Sequence, residues 1–210
     1  MNIISLEEAA SHIKQAITGA KSQKERLPFF FIVGAGISYP PIPLAAKIED
    51  DFRKIAFKHG RTSPSEKIDD PLVSYSHWAK QAYANPIQRQ AYLRKLMEKK
   101  PISHANFRLA HLLEKKIATM VITPNFDDFL SRALRLFGKE PLVCDHPRTV
   151  DRIHPERDDL QIVHVHGTYW FYDCCNLSDE VEDRALPDSH STLTMATLLW
   201  PAPYFSTTRK

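Results

Sequence analysis

The sequence predicts an open α/β fold on a parallel sheet, and three observations carry the prediction. Short runs rich in β-branched and aromatic residues recur at Phe29–Val33, at Ala118–Thr123 and within "QIVHVHG" (161–167). Segments with apolar residues at helical spacing lie between them. Phe29–Val33 is continuously apolar rather than alternating, which suits a strand covered on both faces. Strands that alternate with helices are joined by right-handed crossovers and lie parallel.

The elements follow in order. Ser5-Leu-Glu-Glu8 reads as a capping box, with Ser5 as N-cap and Glu8 three positions on. Ile4, Ala9, Ile13, Ala16 and Ile17 then predict an amphipathic helix over 6 to about 20, ended by Gly19 and the polar "KSQKER". Phe29–Val33 predicts a strand buried on both faces. After Pro43, the stretch "LAAKIEDDFRKIAFKHG" predicts a helix with Leu44, Ile48, Phe52, Ile55 and Ala56 on one face and Gly60 as a stop. Residues 61–71 form a polar loop. Residues 72–99 read as one or two helices broken near Asn85-Pro86, with Trp78, Tyr83, Tyr92 and Leu96 as packing residues. This long interval predicts a small helical insert over about 61–100.

Ser103 caps the next helix, with a stripe of Phe107, Ala110, Leu113 and Ile117. Ala118–Thr123 is the second strand, "PNFDDFLSRALRLFG" a loop and helix closed by Gly138, and "PLVCD" a third strand. "QIVHVHG" is a further strand that ends on a glycine. No further strand is evident after residue 167, and "STLTMATLLWPAPYFSTTRK" begins as a helix and turns proline-broken and polar. That pattern predicts a chain truncated at its carboxyl end, or one whose last ten residues are foreign to the fold. The expectation for the whole is one domain over 1–210.

Bulk properties narrow the class. At 210 residues, 43% hydrophobic and 25% charged, the chain can build a sizeable core. An excess of 28 basic over 25 acidic residues is too small to argue for nucleic-acid binding. "MEKKP" and "LEKKI" sit at helix ends, where lysine suits the dipole. No signal peptide opens the sequence, and Phe29–Val33 is far too short to cross a bilayer. Cys144, Cys174 and Cys175 contain no Cys-x-x-Cys pair and read as reduced thiols of a cytoplasmic protein.

Ligands of open α/β sheets bind beyond the carboxyl ends of the strands. Three such ends carry unusual residues: Gly34-Ala35-Gly36-Ile37-Ser38, Thr123-Pro124-Asn125-Phe126-Asp127 and His166-Gly167-Thr168. Glycines let backbone amides approach an anion without an intervening Cβ. Gly-x-Gly alone serves a tight strand–helix turn equally well, because Tyr39 stands where a Gly-x-Gly-x-x-Gly fingerprint has its third glycine. Asn125 and Asp127 suit hydroxyl binding, or simply an N-cap for a helix starting near Phe126. His164 and His166 alternate along the expected strand and so face one side. No third ligand accompanies them at metal spacing, which argues against a metal site. A structural role and a catalytic role both remain open for His166.

In chain order, "GAGISYPPIP" (34–43), "TPNFD" (123–127) and "HG" (166–167) resemble the motifs of the sirtuin family, in particular its bacterial NAD-hydrolase branch. "SHANFRLAHLL" (103–113) resembles the helix that precedes the family's Asn-Asp motif. The resemblance spans residues 28–170 and implies a Rossmann-like fold that binds NAD+ as substrate. By that resemblance Gly34, Ala35, Gly36 and Ser38 line the dinucleotide phosphates, and Asn125 and Asp127 sit by the nicotinamide ribose. Ile42, Pro43, Thr123 and Gly167 complete the binding residues. Asn125, His166 and Asp127 are the implied catalytic residues, with His166 acting on ribose hydroxyls.

Two departures separate this sequence from the deacetylating sirtuins. Leu44-Ala45 follows Ile42-Pro43 where those enzymes carry Asp-Phe-Arg, and three cysteines in this spacing cannot supply their two Cys-x-x-Cys pairs for zinc. The implied chemistry is therefore cleavage of NAD+ by water without zinc. A non-catalytic NAD or ADP-ribose sensor and, less favoured, a protein deacylase are the alternatives. The resembling bacterial proteins are anti-phage defence effectors that deplete NAD+. They assemble with a partner such as a HerA-like ATPase or with further domains of their own chain, and the resemblance implies a homo-oligomer here.

Overall fold

The computed structural model describes residues 4–23, 25, 27, 29–61, 68–154, 158–170 and 177. Helix α1 (Leu6–Gln23) begins with the expected capping box: the Ser5 amide donates to Glu8 Oε2 at 2.9 Å, and the Glu8 amide to Ser5 Oγ at 3.1 Å. Gly19 does not end it; the helix runs one further turn. Of the predicted apolar stripe only Ile17 is buried, joined by Ala20, while Ile4 and Ile13 stay exposed.

Strand β1 (Phe31–Ile32) lies parallel to β2 (Met120–Thr123). Beyond them come β4 (Gln161–His164) and then β3 (Leu142–Cys144), so the sheet order is β1-β2-β4-β3 with every pairing parallel. The expected open parallel α/β sheet is present. The prediction that Phe29–Val33 is buried on both faces is not met. β1 is an edge strand among the described residues, and Ile32 is 72% exposed. Aromatic and β-branched composition signals extended backbone but does not say how many neighbours the strand has.

The central strands match their sequence. Val121 of β2 and Ile162 of β4 face a cluster formed by Leu109, Ala110 and Leu113 together with Leu130, Ala133 and Leu134. These come from α5 (His104–Glu114) and α6 (Phe129–Leu136). Met120, Ile122 and Val163 face the opposite way, against Cys144, Val150 and Ile153. Both faces are covered, which is why each strand carries apolar residues on either side. The α5 stripe keeps Ala110 and Leu113 of the expected one but not Phe107, which is exposed and tilted against Phe137 with ring centroids 5.0 Å apart, while Asn106 is buried.

Among the described residues three α-helices lie between β1 and α5. They are α2 (Ala45–Lys58), α3 (Pro71–Ala82) and α4 (Pro86–Met97). Asp70 and Asn85 cap α3 and α4, each followed by proline at the first helical position. Ile48, Phe52 and Ala56 of α2 pack on Trp78, Ala79 and Ala82 of α3, while Leu44 of the predicted face is exposed and stands at the N-cap. Tyr83, Tyr92 and Leu96 pack against this cluster, as the sequence indicates. Leu93 and Met97 of α4 meet Ile42, Phe129 and Tyr169. That second cluster ties α4 to the loops at the carboxyl edge of the sheet. No helix among the described residues is long and apolar enough to cross a membrane. Of the carboxyl-terminal expectation, everything after Trp170 except Leu177 lies outside the described residues.

Candidate functional site

Because all pairings are parallel, the three motif-bearing strand ends emerge on one edge of the sheet. They are also nearly level. Thr123 pairs in register with His164, and the Val33 amide continues the β1–β2 ladder to the Ile122 carbonyl at 3.0 Å. Val163 pairs with Cys144, which brings Asp145 level with His164.

Ser38 joins the first two loops. Its hydroxyl donates to Asp127 Oδ2 at 2.7 Å, and both residues are buried. The other Asp127 oxygen accepts the Phe129 amide at 3.1 Å, which opens α6. The Asn125 amide group donates to the Gly34 carbonyl at 3.0 Å and reaches Ser38 Oγ at 3.4 Å. From below, Asn106 of α5 donates to Ser38 Oγ and the Ile37 carbonyl, both at 3.1 Å, and to Ser103 Oγ at 3.0 Å. Ser103 Oγ also donates to the Ile37 carbonyl and receives the Asn106 amide, so the α5 cap doubles as a brace for the first loop.

The glycines of that loop are not demanded by the protein's own geometry. Gly34 has φ −104°, ordinary extended backbone. A Cβ built at Gly34 or Gly36 meets nothing within 4 Å, and both residues are exposed with Ala35. Neither backbone strain nor packing accounts for glycine here. What glycine leaves is bare backbone facing open space, beside a short 3-10 turn (Ala35–Ser38) whose leading N–H groups have no partner within the turn. Bare backbone beside open space fits a phosphate-bearing ligand.

The third loop is stitched to the second. The Val165 amide donates to the Thr123 carbonyl and the Tyr169 amide to the Phe126 carbonyl, each at 3.0 Å. Between them His164 Nδ1 meets the Asn125 carbonyl at 2.7 Å. A carbonyl only accepts, so Nδ1 carries the proton. Strand β4 stops at His164, and His166 lies in the turn that follows, closed by Gly167 at φ 78° with its amide on the His164 carbonyl at 3.1 Å. The expected alternation of His164 and His166 along one strand thus fails at its second member. Here glycine is needed, because few other residues hold that φ.

Burial sets the ionisation of the buried members. It pushes the Asp127 carboxyl above its ordinary range, against the lowering effect of the Ser38 hydroxyl and the Phe129 amide. It pushes the His164 ring below 6.5, so this imidazole is neutral near pH 7. Asp145, beside it, is also raised by burial, partly offset by the charge of His164 when protonated.

Of the residues named from sequence, Gly34, Ala35, Gly36, Ser38, Asn125 and Asp127 form one connected edge, and Thr123 supports it by accepting the Asn125 backbone amide at 3.1 Å. His166 and Gly167 stand on the neighbouring loop, with His166 half-buried. Ile42 is buried in the cluster with Leu93 and Tyr169, and Pro43 is half-buried beside it in sequence. Asp127 is spoken for within the protein at both oxygens. Sequence reasoning missed Asn106, Asp145 and the role of His164. The signal for Asn106 was an amide on the sheet-facing side of a helix whose other inward residues are apolar; for Asp145, an acid directly after an apolar strand.

Among the described residues no three His, Cys, Asp or Glu side chains group as metal ligands. Cys144 is a buried free thiol, and Cys174 and Cys175 lie outside the described residues.

No curated protein matches the chain. A family model does match, over a span that takes in Asn125, Asp127 and His166 and leaves out the glycine loop that Ser38 ties to them. Residues 119–196 are similar to the SIR2-like domain, whose family model they match.

Proposed function

We propose that the protein is an NAD+ glycohydrolase that cleaves the nicotinamide–ribose bond to give nicotinamide and ADP-ribose. The observation that carries the reading is the joining of the glycine loop to the Asn125–Asp127 loop through Ser38, on the edge where His166 also emerges. The SIR2-like match over the second and third motifs supports NAD+ as the ligand.

The chemistry is heterolysis of a C–N bond. Nicotinamide leaves as a neutral base, the ribose passes through an oxocarbenium-like state, and water adds at the anomeric carbon with loss of a proton. The bare backbone at Gly34–Gly36 takes the pyrophosphate. Asn125, fixed by its bond to the Gly34 carbonyl, keeps its side-chain oxygen for a ribose hydroxyl or the water. His166 is the polar partner that takes up the proton. Asp127 acts by holding Ser38 and through its field on the developing positive charge. Depletion of cellular NAD+ in anti-phage defence, in a homo-oligomer or with a HerA-like ATPase, is the biological setting we propose.

The test is incubation with NAD+ and chromatography for nicotinamide and ADP-ribose. Tight calorimetric binding with NAD+ left intact would establish the sensor instead. NAD-dependent loss of an acyl group from an acyl-lysine peptide would establish the deacylase.

A further inference from the structure

We propose that His164 is a positioning residue, whose Nδ1–H holds the backbone of Asn125 so that the Asn125 side chain faces the glycine loop. Three carbonyls along the β2 exit accept hydrogen bonds from the β4 exit: Thr123, Asn125 and Phe126. The first and third bonds come from backbone amides, which any residue supplies. The middle one comes from the His164 side chain and falls on the residue whose amide group bridges to Gly34 and Ser38. His164 is also two residues from His166, so one buried ring fixes the relative placement of the two loops that carry Asn125 and His166.

The surroundings suit a neutral donor rather than a charged one. The ring is buried at the end of β4, and burial favours the neutral form over the opposing pull of Asp145 from the end of β3 and Asp128 from the β2–α6 loop. A histidine that served only to fill space would not need a short bond to a carbonyl. Asparagine at 164 puts an N–H close to the Nδ1 position; phenylalanine keeps the ring and removes the donor.

For its kinetic readout the inference rests on the hydrolase reading; its spectroscopic readout does not. In a long-range nitrogen–proton spectrum of the histidine rings, His164 is expected as the neutral Nδ1–H tautomer at pH 7. An imidazolium or an Nε2–H tautomer overturns the proposal whatever the protein does to NAD+. In His164→Phe the Asn125 side-chain amide resonances are expected to shift, and in His164→Asn to return towards the wild-type positions. Equal spectra for the two variants overturn it as well. If NAD+ is turned over, His164→Phe is expected to lower kcat about 10- to 100-fold with little change in KM, and His164→Asn to recover most of it. Equal loss in both variants would mark His164 as merely structural. Should His164→Phe fail to fold, the wild-type ring spectrum and the His164→Asn amide resonances decide. Absence of turnover in the wild type removes the hydrolase reading alone.

Discussion

Ser38 Oγ and Asp127 Oδ2 meet at 2.7 Å across 89 residues of chain, both buried. This contact couples the end of the first strand to the end of the second. It also shares its oxygen with Asn106 and Asn125, so one hydroxyl serves an acceptor and two donors. Ser38→Ala leaves a buried carboxyl oxygen and two amide groups short of a partner. The expected cost is about 1–3 kcal/mol of stability in urea unfolding. A change under half a kcal/mol would show that the network carries no weight.

The glycine loop gives a prediction that separates fold from ligand. An alanine at 36 meets no protein atom, and its backbone is not in the left-handed region. Gly36→Ala is therefore expected to keep stability within about 1 kcal/mol of wild type. The same methyl stands where a phosphate would approach, so calorimetric affinity for ADP-ribose should fall at least about tenfold. Unchanged affinity would mean that the open space at Gly36 is not where the dinucleotide lies.

Two buried groups make opposite contributions to the pH dependence of stability. The folded state holds the Asp127 proton more tightly than the unfolded chain, whose carboxyl titrates near 3.8. Stability from this residue is lost as pH rises from about 3.8 through the raised folded value, and is flat above. For His164 the folded value lies below 6.5, so the unfolded chain takes up the proton first on acidification. Its contribution is complete above about 6.5 and is lost as pH falls towards the folded value. Denaturant titrations across pH should show wild type gaining on Asp127→Asn in acid and losing ground to His164→Asn below pH 6.5. Parallel curves for either variant would contradict the burial of that group.

Much of this was legible in the residues, and the failures have physical causes. Ser5 and Glu8 sit at the spacing of a capping box, and the reciprocal bonds formed. Val121 and Ile122 belong to a run with no polar face, and both faces of β2 are covered. The run at Phe29–Val33 looks the same in sequence, yet β1 is an edge strand, because neighbour number depends on the order of strands in the sheet rather than on local composition. That Gly34, Asn125 and His166 share one sheet edge is legible from strand-end reasoning, since parallel topology gathers strand ends by itself. Asn106 was not found. Its function depends on Ile37 and Ser38, and a bond between residues 68 apart leaves no trace in local pattern.

The most direct test of the central claim is nicotinamide release from NAD+ by the wild-type chain, alongside Asn125→Ala and His166→Ala variants shown by circular dichroism to be folded. The account predicts equimolar nicotinamide and ADP-ribose from the wild type and a loss of at least about 100-fold in each variant. Normal turnover by either folded variant would contradict the site, and unaltered NAD+ with the wild-type protein in its native assembly would contradict the activity.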